Sequence, residues 1–260
     1  MRTKIQSGRP AWEFRLTLTT MRARLGVAAA VSLLVPLTSV PANAVPPDAD
    51  HFTCQAHGAQ AGNQFVASVG QPNAECTPET ATLTPVEGQS VTQCDWEYTG
   101  DCYSVSFSGQ QVRAWTSRWN YTASVGAGGF AEWSDLRAFV GGTTQYSLAY
   151  FRFSASEVKS EAVTTCTGST GSSSVSGLQI YDPIGVGVPL TVPPTSTYTV
   201  IPLSNGWRLE LNVTDRVTNS QRTSITQTAI RMTKVGGGST SIGVAKSGTN
   251  GQPCTTTSRS

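Results

Sequence analysis

All six cysteines of this chain, at positions 54, 76, 94, 102, 166 and 254, follow a segment laid out as an export signal. No other feature limits the fold as strongly. Thiols delivered to an oxidising compartment pair, and each pair dictates which segments lie side by side. Met21-Arg22-Ala23-Arg24 is a short basic start. An apolar run continues from Leu25 to Val40, and Pro41-Ala42-Asn43-Ala44 carries small residues where a signal peptidase reads. The run is about 16 residues long, holds Pro36, and falls short of the roughly 20 residues of a membrane-spanning helix. Cleavage is expected after Ala44. Residues 1–20 read as an extended n-region, or the true start is Met21. No cysteine sits just after the cleavage point and no apolar tail closes the chain, so a released, secreted product is expected. Val45-Pro46-Pro47-Asp48 reads as a loose extended leader.

Six cysteines allow 15 pairings. The simplest set starts with Cys94–Cys102, a short hairpin staple, and continues with Cys54–Cys76 and Cys166–Cys254. The last would tie the C-terminus to the middle of the chain and remove roughly 4–5 kcal/mol of unfolded-state entropy.

The exported part is written in strands. Residues 45–260 hold 26 Ser and 30 Thr among 216 residues, poor helix material and good strand and turn material. Trp207–Thr214 and Tyr103–Ser108 alternate apolar and polar residues, the mark of a strand with one buried and one wet face. Further strands are expected at Gln111–Ser124, Phe130–Val140, Thr143–Val158, Ser174–Ile180, Tyr198–Ile201, Ser224–Val235 and Ser239–Lys246. Glycines at 126–129, 141–142, 168–171 and 236–238 read as punctuation between them. Ser204-Asn205-Gly206 reads as a hairpin turn, since Asn-Gly tolerates positive φ. With no helical stripe after Ala44, the expected fold class is all-β. The architecture is an antiparallel β-sandwich or partly closed barrel with up to three disulfides, in one domain over 45–260. A sub-boundary near 166–174 is the alternative division.

Charge excludes one large class. Residues 45–260 carry 12 basic against 15 acidic residues, which is not the concentrated basic surface a nucleic-acid binder needs. The only two histidines flank a cysteine as His51-x-x-Cys54-x-x-His57. Oxidation of Cys54 would remove the thiolate a zinc site needs, so both are read as exposed residues near a mobile N-terminus. Asp95, Glu97 and Asp101 crowd the Cys94–Cys102 loop and could hold calcium, but Ser106 stands where a bidentate Glu would complete such a loop. No cofactor other than this calcium is expected. The chain has no Gly-x-Ser-x-Gly elbow and no His-Glu-x-x-His, so an enzyme is not expected.

Aromatic residues are the most suggestive group. Trp115, Trp119 and Tyr121 share one side of the Gln111–Ser124 strand. They are read as core, because large aromatics on a period-two face usually point inward. The alternative is a platform of flat rings for stacking sugars. Asn120-Tyr121-Thr122 and Asn212-Val213-Thr214 match glycosylation sequons.

From about Phe130 onward the chain resembles the choice-of-anchor P family of exported actinobacterial proteins. The likeness is carried by Ser160-Glu161-Ala162…Cys166, Val175-Ser176-Gly177-Leu178-Gln179-Ile180, the Pro193–Leu203 stretch, Leu209-Glu210-Leu211-Asn212, Ile225–Ile230 and Gly243–Gly248. It implies an all-β extracellular domain and assigns no residue a catalytic or binding role. The family's members differ in their C-terminal attachment, and this chain departs from them by showing none.

Together these features predict a secreted, disulfide-stabilised protein acting by surface contact in the cell envelope or extracellular space, with a protein or glycan as partner. A carbohydrate-binding module is the first alternative and an exported hydrolase the second.

Overall fold

The computed structural model describes residues 50–94, 102–121, 124–142, 149–182, 188–220 and 222–254. Among the described residues fifteen strands are defined, all paired antiparallel. The first seven are β1 (His51–Ala61), β2 (Gln64–Val69), β3 (Glu79–Leu83), β4 (Val86–Cys94), β5 (Cys102–Gly109), β6 (Gln111–Tyr121) and β7 (Ser124–Gly142). Then come β8 (Ala149–Thr165), β9 (Gly168–Ser176), β10 (Leu178–Tyr181) and β11 (Leu190–Val192). The last four are β12 (Thr199–Pro202), β13 (Trp207–Thr218), β14 (Arg222–Lys234) and β15 (Ser239–Asn250). Only a 3-10 turn, Ser204–Gly206, breaks the all-β pattern among the described residues. Its Asn205 sits at φ 57, as the Asn-Gly signal predicts, and joins β12 to β13.

The strands form two layers. A six-stranded sheet has the order β12-β13-β14-β15-β1-β2. A nine-stranded sheet follows β11-β10-β8-β7-β5-β4, with β6 paired to β7 and β3, and β9 paired to β8. No ladder joins the layers among the described residues, so the sandwich is formed and the barrel is not. Strands β7 and β8, 19 and 17 residues long, run the length of the second sheet. Beside β7 lie β5 at one end and β6 at the other.

All three expected disulfides are present: Cys54–Cys76, Cys94–Cys102 and Cys166–Cys254. Cys94 and Cys102 are direct cross-strand partners at the ends of β4 and β5. Phe52, Cys54, Cys76 and Ala127 pack as one cluster with Cys254 against it, which brings two of the disulfides to the same end of the sandwich.

The interior is not uniform along the strands. The six-stranded sheet bends along a transverse row made of Asn212, Ala229, Gly243, Gly58 and Ala67. Three of these, Asn212 (φ 56), Gly243 (φ 61) and Ala67 (φ 47), lie in the left-handed region. On one side of the row Trp133, Trp207, Phe151, Phe153, Leu136, Leu209 and Leu211 fill a single large core, each nearly inaccessible to solvent. On the other side the core breaks into small clusters of Ala, Val, Ile and Cys, with Phe52 as their single aromatic member. There the layers come so close that a Cβ on Gly129 would lie 2.1 Å from the Gln55 carbonyl oxygen and 2.7 Å from that of Lys246. The sandwich therefore has a wide, aromatic end and a thin, small-residue end.

Several sequence expectations change on this basis. Gly126–Gly129, expected as a turn, is the interior of β7: Gly129 faces the opposing layer, where a Cβ would meet backbone, and Gly126 and Gly128 leave room for aromatic rings on the outer face. Gly168–Gly171 opens β9, paired along its length with β8. β1 begins at His51, so His51 and His57 are buried strand residues and not part of an exposed leader. Asn212, expected on the wet face of β13, is buried. Its Nδ2 donates to the carbonyls of Thr195 and Thr197, so that sequon is not open to modification in the folded chain.

Candidate functional site

Which face of β6 meets the core is decided by the thin end. Val112, Ala114 and Thr116 point inward and are buried. The opposite row, Arg113, Trp115, Ser117, Trp119 and Tyr121, is therefore on the outer face of the nine-stranded sheet. The core expectation for Trp115, Trp119 and Tyr121 is thus corrected: the gap that accepts Ala114 has no room for an indole. Trp115 and Trp119 are half-buried and Tyr121 is 70% exposed.

The local sequence of β7 supplies a bed for these rings. Trp119 is opposite Gly126, and a Cβ on Gly126 would lie 2.8 Å from the Trp119 ring, so the indole rests over bare backbone. Its Nε1 donates to Ser124 Oγ at 3.3 Å. Gly128 gives Phe130 the same clearance. Trp115 stacks against Phe130, its cross-strand partner, with ring centroids 5.2 Å apart and planes 8° from parallel. The Arg113 guanidinium stands 4.6 Å from the Trp115 ring centroid, within cation–π range. The result is a strip of aromatic rings along the outer face of the sheet, with Trp115 packed against Phe130 and Arg113, and with Tyr121 the most exposed of the row.

Beyond the strip, ion pairs join Lys159 to Glu132 and Glu157, and the Glu157 hydrogen bond raises the Lys159 ammonium above its usual range. Past the kink at Asp135 (φ 52) the outer face changes character. Arg137, Phe139, Arg152 and Tyr181 line a groove of about 440 Å³ with the serines of β5 and β8. Sequence reasoning missed this group. Phe139 and Arg137 are two apart on β7, a visible hint, but the kink shifts their face relative to Phe130 and Glu132.

The outer face of the six-stranded sheet holds the histidine expected to be exposed. His57 Nδ1 is 2.9 Å from Ser68 Oγ, and its ring lies 4.6 Å from Phe65. Burial, reinforced by the Lys246 charge, pushes the imidazole down to about 4. Burial also lowers the Lys246 ammonium. His51 Nε2 meets the Asn73 carbonyl at 2.9 Å, while its Nδ1 is buried with no partner. The two histidines do not converge on a shared atom.

Asp95, Glu97 and Asp101, the calcium candidates, lie outside the described residues. Among the described residues no group of three His, Cys, Asp or Glu side chains could hold a metal ion, and no helix is long and apolar enough to cross a membrane. No family model, no curated protein and no solved structure matches this chain.

Proposed function

We propose that this is a secreted, non-catalytic binding protein of the cell envelope or extracellular space, with the outer face of its nine-stranded sheet as the contact surface. One observation carries the reading: Trp115, Trp119 and Tyr121 face outward on an open sheet, where buried aromatics would have ended it. Three disulfides on an all-β scaffold suit an oxidising compartment. The export-signal layout of residues 21–44 and the resemblance to the choice-of-anchor P family support the same placement.

The arrangement of the rings favours carbohydrate as the partner. Exposed aromatic rings on an outer sheet face offer apolar surface to the C–H face of a sugar. The test is an array of neutral and acidic glycans probed with the oxidised protein, with and without calcium. Binding that falls several-fold in both Trp119→Ala and Tyr121→Ala, with unchanged melting temperature, is the expected result. Absence of any glycan binding removes carbohydrate as the partner. Binding unchanged in both variants removes the strip as the contact surface.

A further inference from the structure

We infer that the wide end of the nine-stranded sheet carries, on its outer face, a second binding site, whose ligand is a polysaccharide bearing carboxylate groups. The inference deepens the outer-face reading above and rests on it.

Strand register sets the site. Ser106 on β5, Phe139 on β7, Arg152 on β8 and Tyr181 on β10 are successive cross-strand partners and form one transverse row. Ser108, Arg137, Ser154 and Gln179 form the next row on the same face. Arg137 and Arg152 are therefore diagonal neighbours across β7 and β8, a spacing of about 7–8 Å between backbones. Arg152 lies 4.3 Å from the Tyr181 ring centroid, which limits the orientations of its guanidinium. Phe139 is 45% exposed between the two arginines.

The charge here is uncompensated. Arg118, Arg208, Arg231 and Lys159 each meet a carboxylate. Among the described residues Arg137 and Arg152 meet none, as is also true of Arg113, Arg216 and Arg222, but Arg137 and Arg152 are diagonal neighbours on one sheet face. Two guanidinium forks suit planar carboxylates in bidentate geometry, and rings with hydroxyls between them suit a sugar chain. An acidic peptide fits less well. Strands β5, β7, β8 and β10 are paired on both edges, so the groove has no free backbone to which an extended peptide could add.

The experiment titrates polygalacturonate into the folded, disulfide-intact protein by calorimetry at low salt, with neutral dextran, dextran sulfate and poly-glutamate in parallel. Polygalacturonate should bind more tightly than any of the three. Arg137→Ala/Arg152→Ala should weaken it by roughly tenfold or more. Arg137→Lys/Arg152→Lys should restore only part, because an ammonium keeps the charge and loses the fork. Phe139→Ala should weaken it several-fold. All these side chains are on the outer face, so thermal melts should not move. Trp119→Ala should leave polygalacturonate binding intact. That separates this site from the aromatic strip: failure of the strip shows in neutral glycans and Trp119→Ala, failure of the groove in polygalacturonate and the arginine variants. Absence of polygalacturonate binding overturns the inference. So does binding that survives the double alanine variant, or poly-glutamate or dextran sulfate binding as tightly.

Discussion

The two ends of this sandwich solve the same problem by different means. At the wide end the layers stand far enough apart for Trp133, Trp207, Phe151 and Phe153, and hydrophobic burial holds them. At the thin end backbone nearly touches backbone, so little apolar volume is available. There the Cys166–Cys254 disulfide and a polar chain join the layers, and Cys54–Cys76 ties β1 to the segment between β2 and β3. Thr214 Oγ1 donates to Gln227 Oε1, Gln227 Nε2 to Ser173 Oγ, and Ser173 Oγ to Asn212 Oδ1, at 2.6, 2.7 and 2.8 Å. The lesson is that layer spacing, set by Gly and Ala, decides which kind of interaction can stabilise a region. It also decides where large residues go. Excluded from the thin interior, Trp115 and Trp119 lie on its outside and create the surface proposed to bind.

That contrast is exposed to direct test. Replacing Cys166 and Cys254 by Ser opens an 88-residue separation at the thin end and should cost about 4–5 kcal/mol by the chain-entropy relation. The same change at Cys94 and Cys102, separated by 8 residues at the wide end, should cost about 2–3 kcal/mol. Urea titrations of both variants give the comparison, and equal losses would erase the assigned asymmetry. Trp133→Ala should cost roughly 3–5 kcal/mol, since it empties the wide core and removes the Nε1 donation to the Gly58 carbonyl at 2.7 Å.

Adding a single methyl at the thin end should rival that. Gly129→Ala meets backbone oxygens on two strands of the opposite layer and should destabilise by about 3 kcal/mol. A melting temperature within a degree of the parent protein would show that the layers can part.

His57 sharpens the picture through pH. Its folded-state value of about 4 lies below the unfolded 6.5, so the unfolded chain takes up a proton first as pH falls. Above pH 6.5 the residue has no effect. Between 6.5 and 4 it should withdraw on the order of 3 kcal/mol of stability. The difference in urea stability between the parent and His57→Gln, followed from pH 7 to about 3, should change across that window and level off below it. The smallest effect belongs to the polar chain. Gln227→Leu should cost about 1–3 kcal/mol by leaving Ser173 and Thr214 with one partner fewer, and a neutral result would show that the thin end does not depend on it.

Much of this fold was legible from local pattern. Alternation marked β5 and the first turns of β13, and Asn205-Gly206 marked the hairpin before it. The even cysteine count and short separations suggested the disulfides that formed. The N-terminal strands β1 to β4 were not legible. Their sequences mix His, Gln, Gly and Thr with few large apolar residues, because β1 and β2 cross the bend and serve the thin end. Alternation also failed at Asn212, where positive φ puts Leu211 and Asn212 both inward. Half of the candidate surface, the Trp115–Trp119–Tyr121 row, was visible as a row. The arginine groove was not, because it joins β5, β7, β8 and β10, and register between distant strands is not written in any one of them.

What sequence alone determined was local: which stretches extend, where they turn, and that the thiols are positioned to pair. Strand propensity and turn chemistry act within a few residues, so a few residues reveal them. What the tertiary structure decided was orientation. An alternating strand labels two faces without saying which is inside, and the answer depends on the room left by the opposing sheet. At β6 that room was taken by the close approach of β7 to β1 and β15. The smaller face turned inward, and the aromatic face was left to meet solvent.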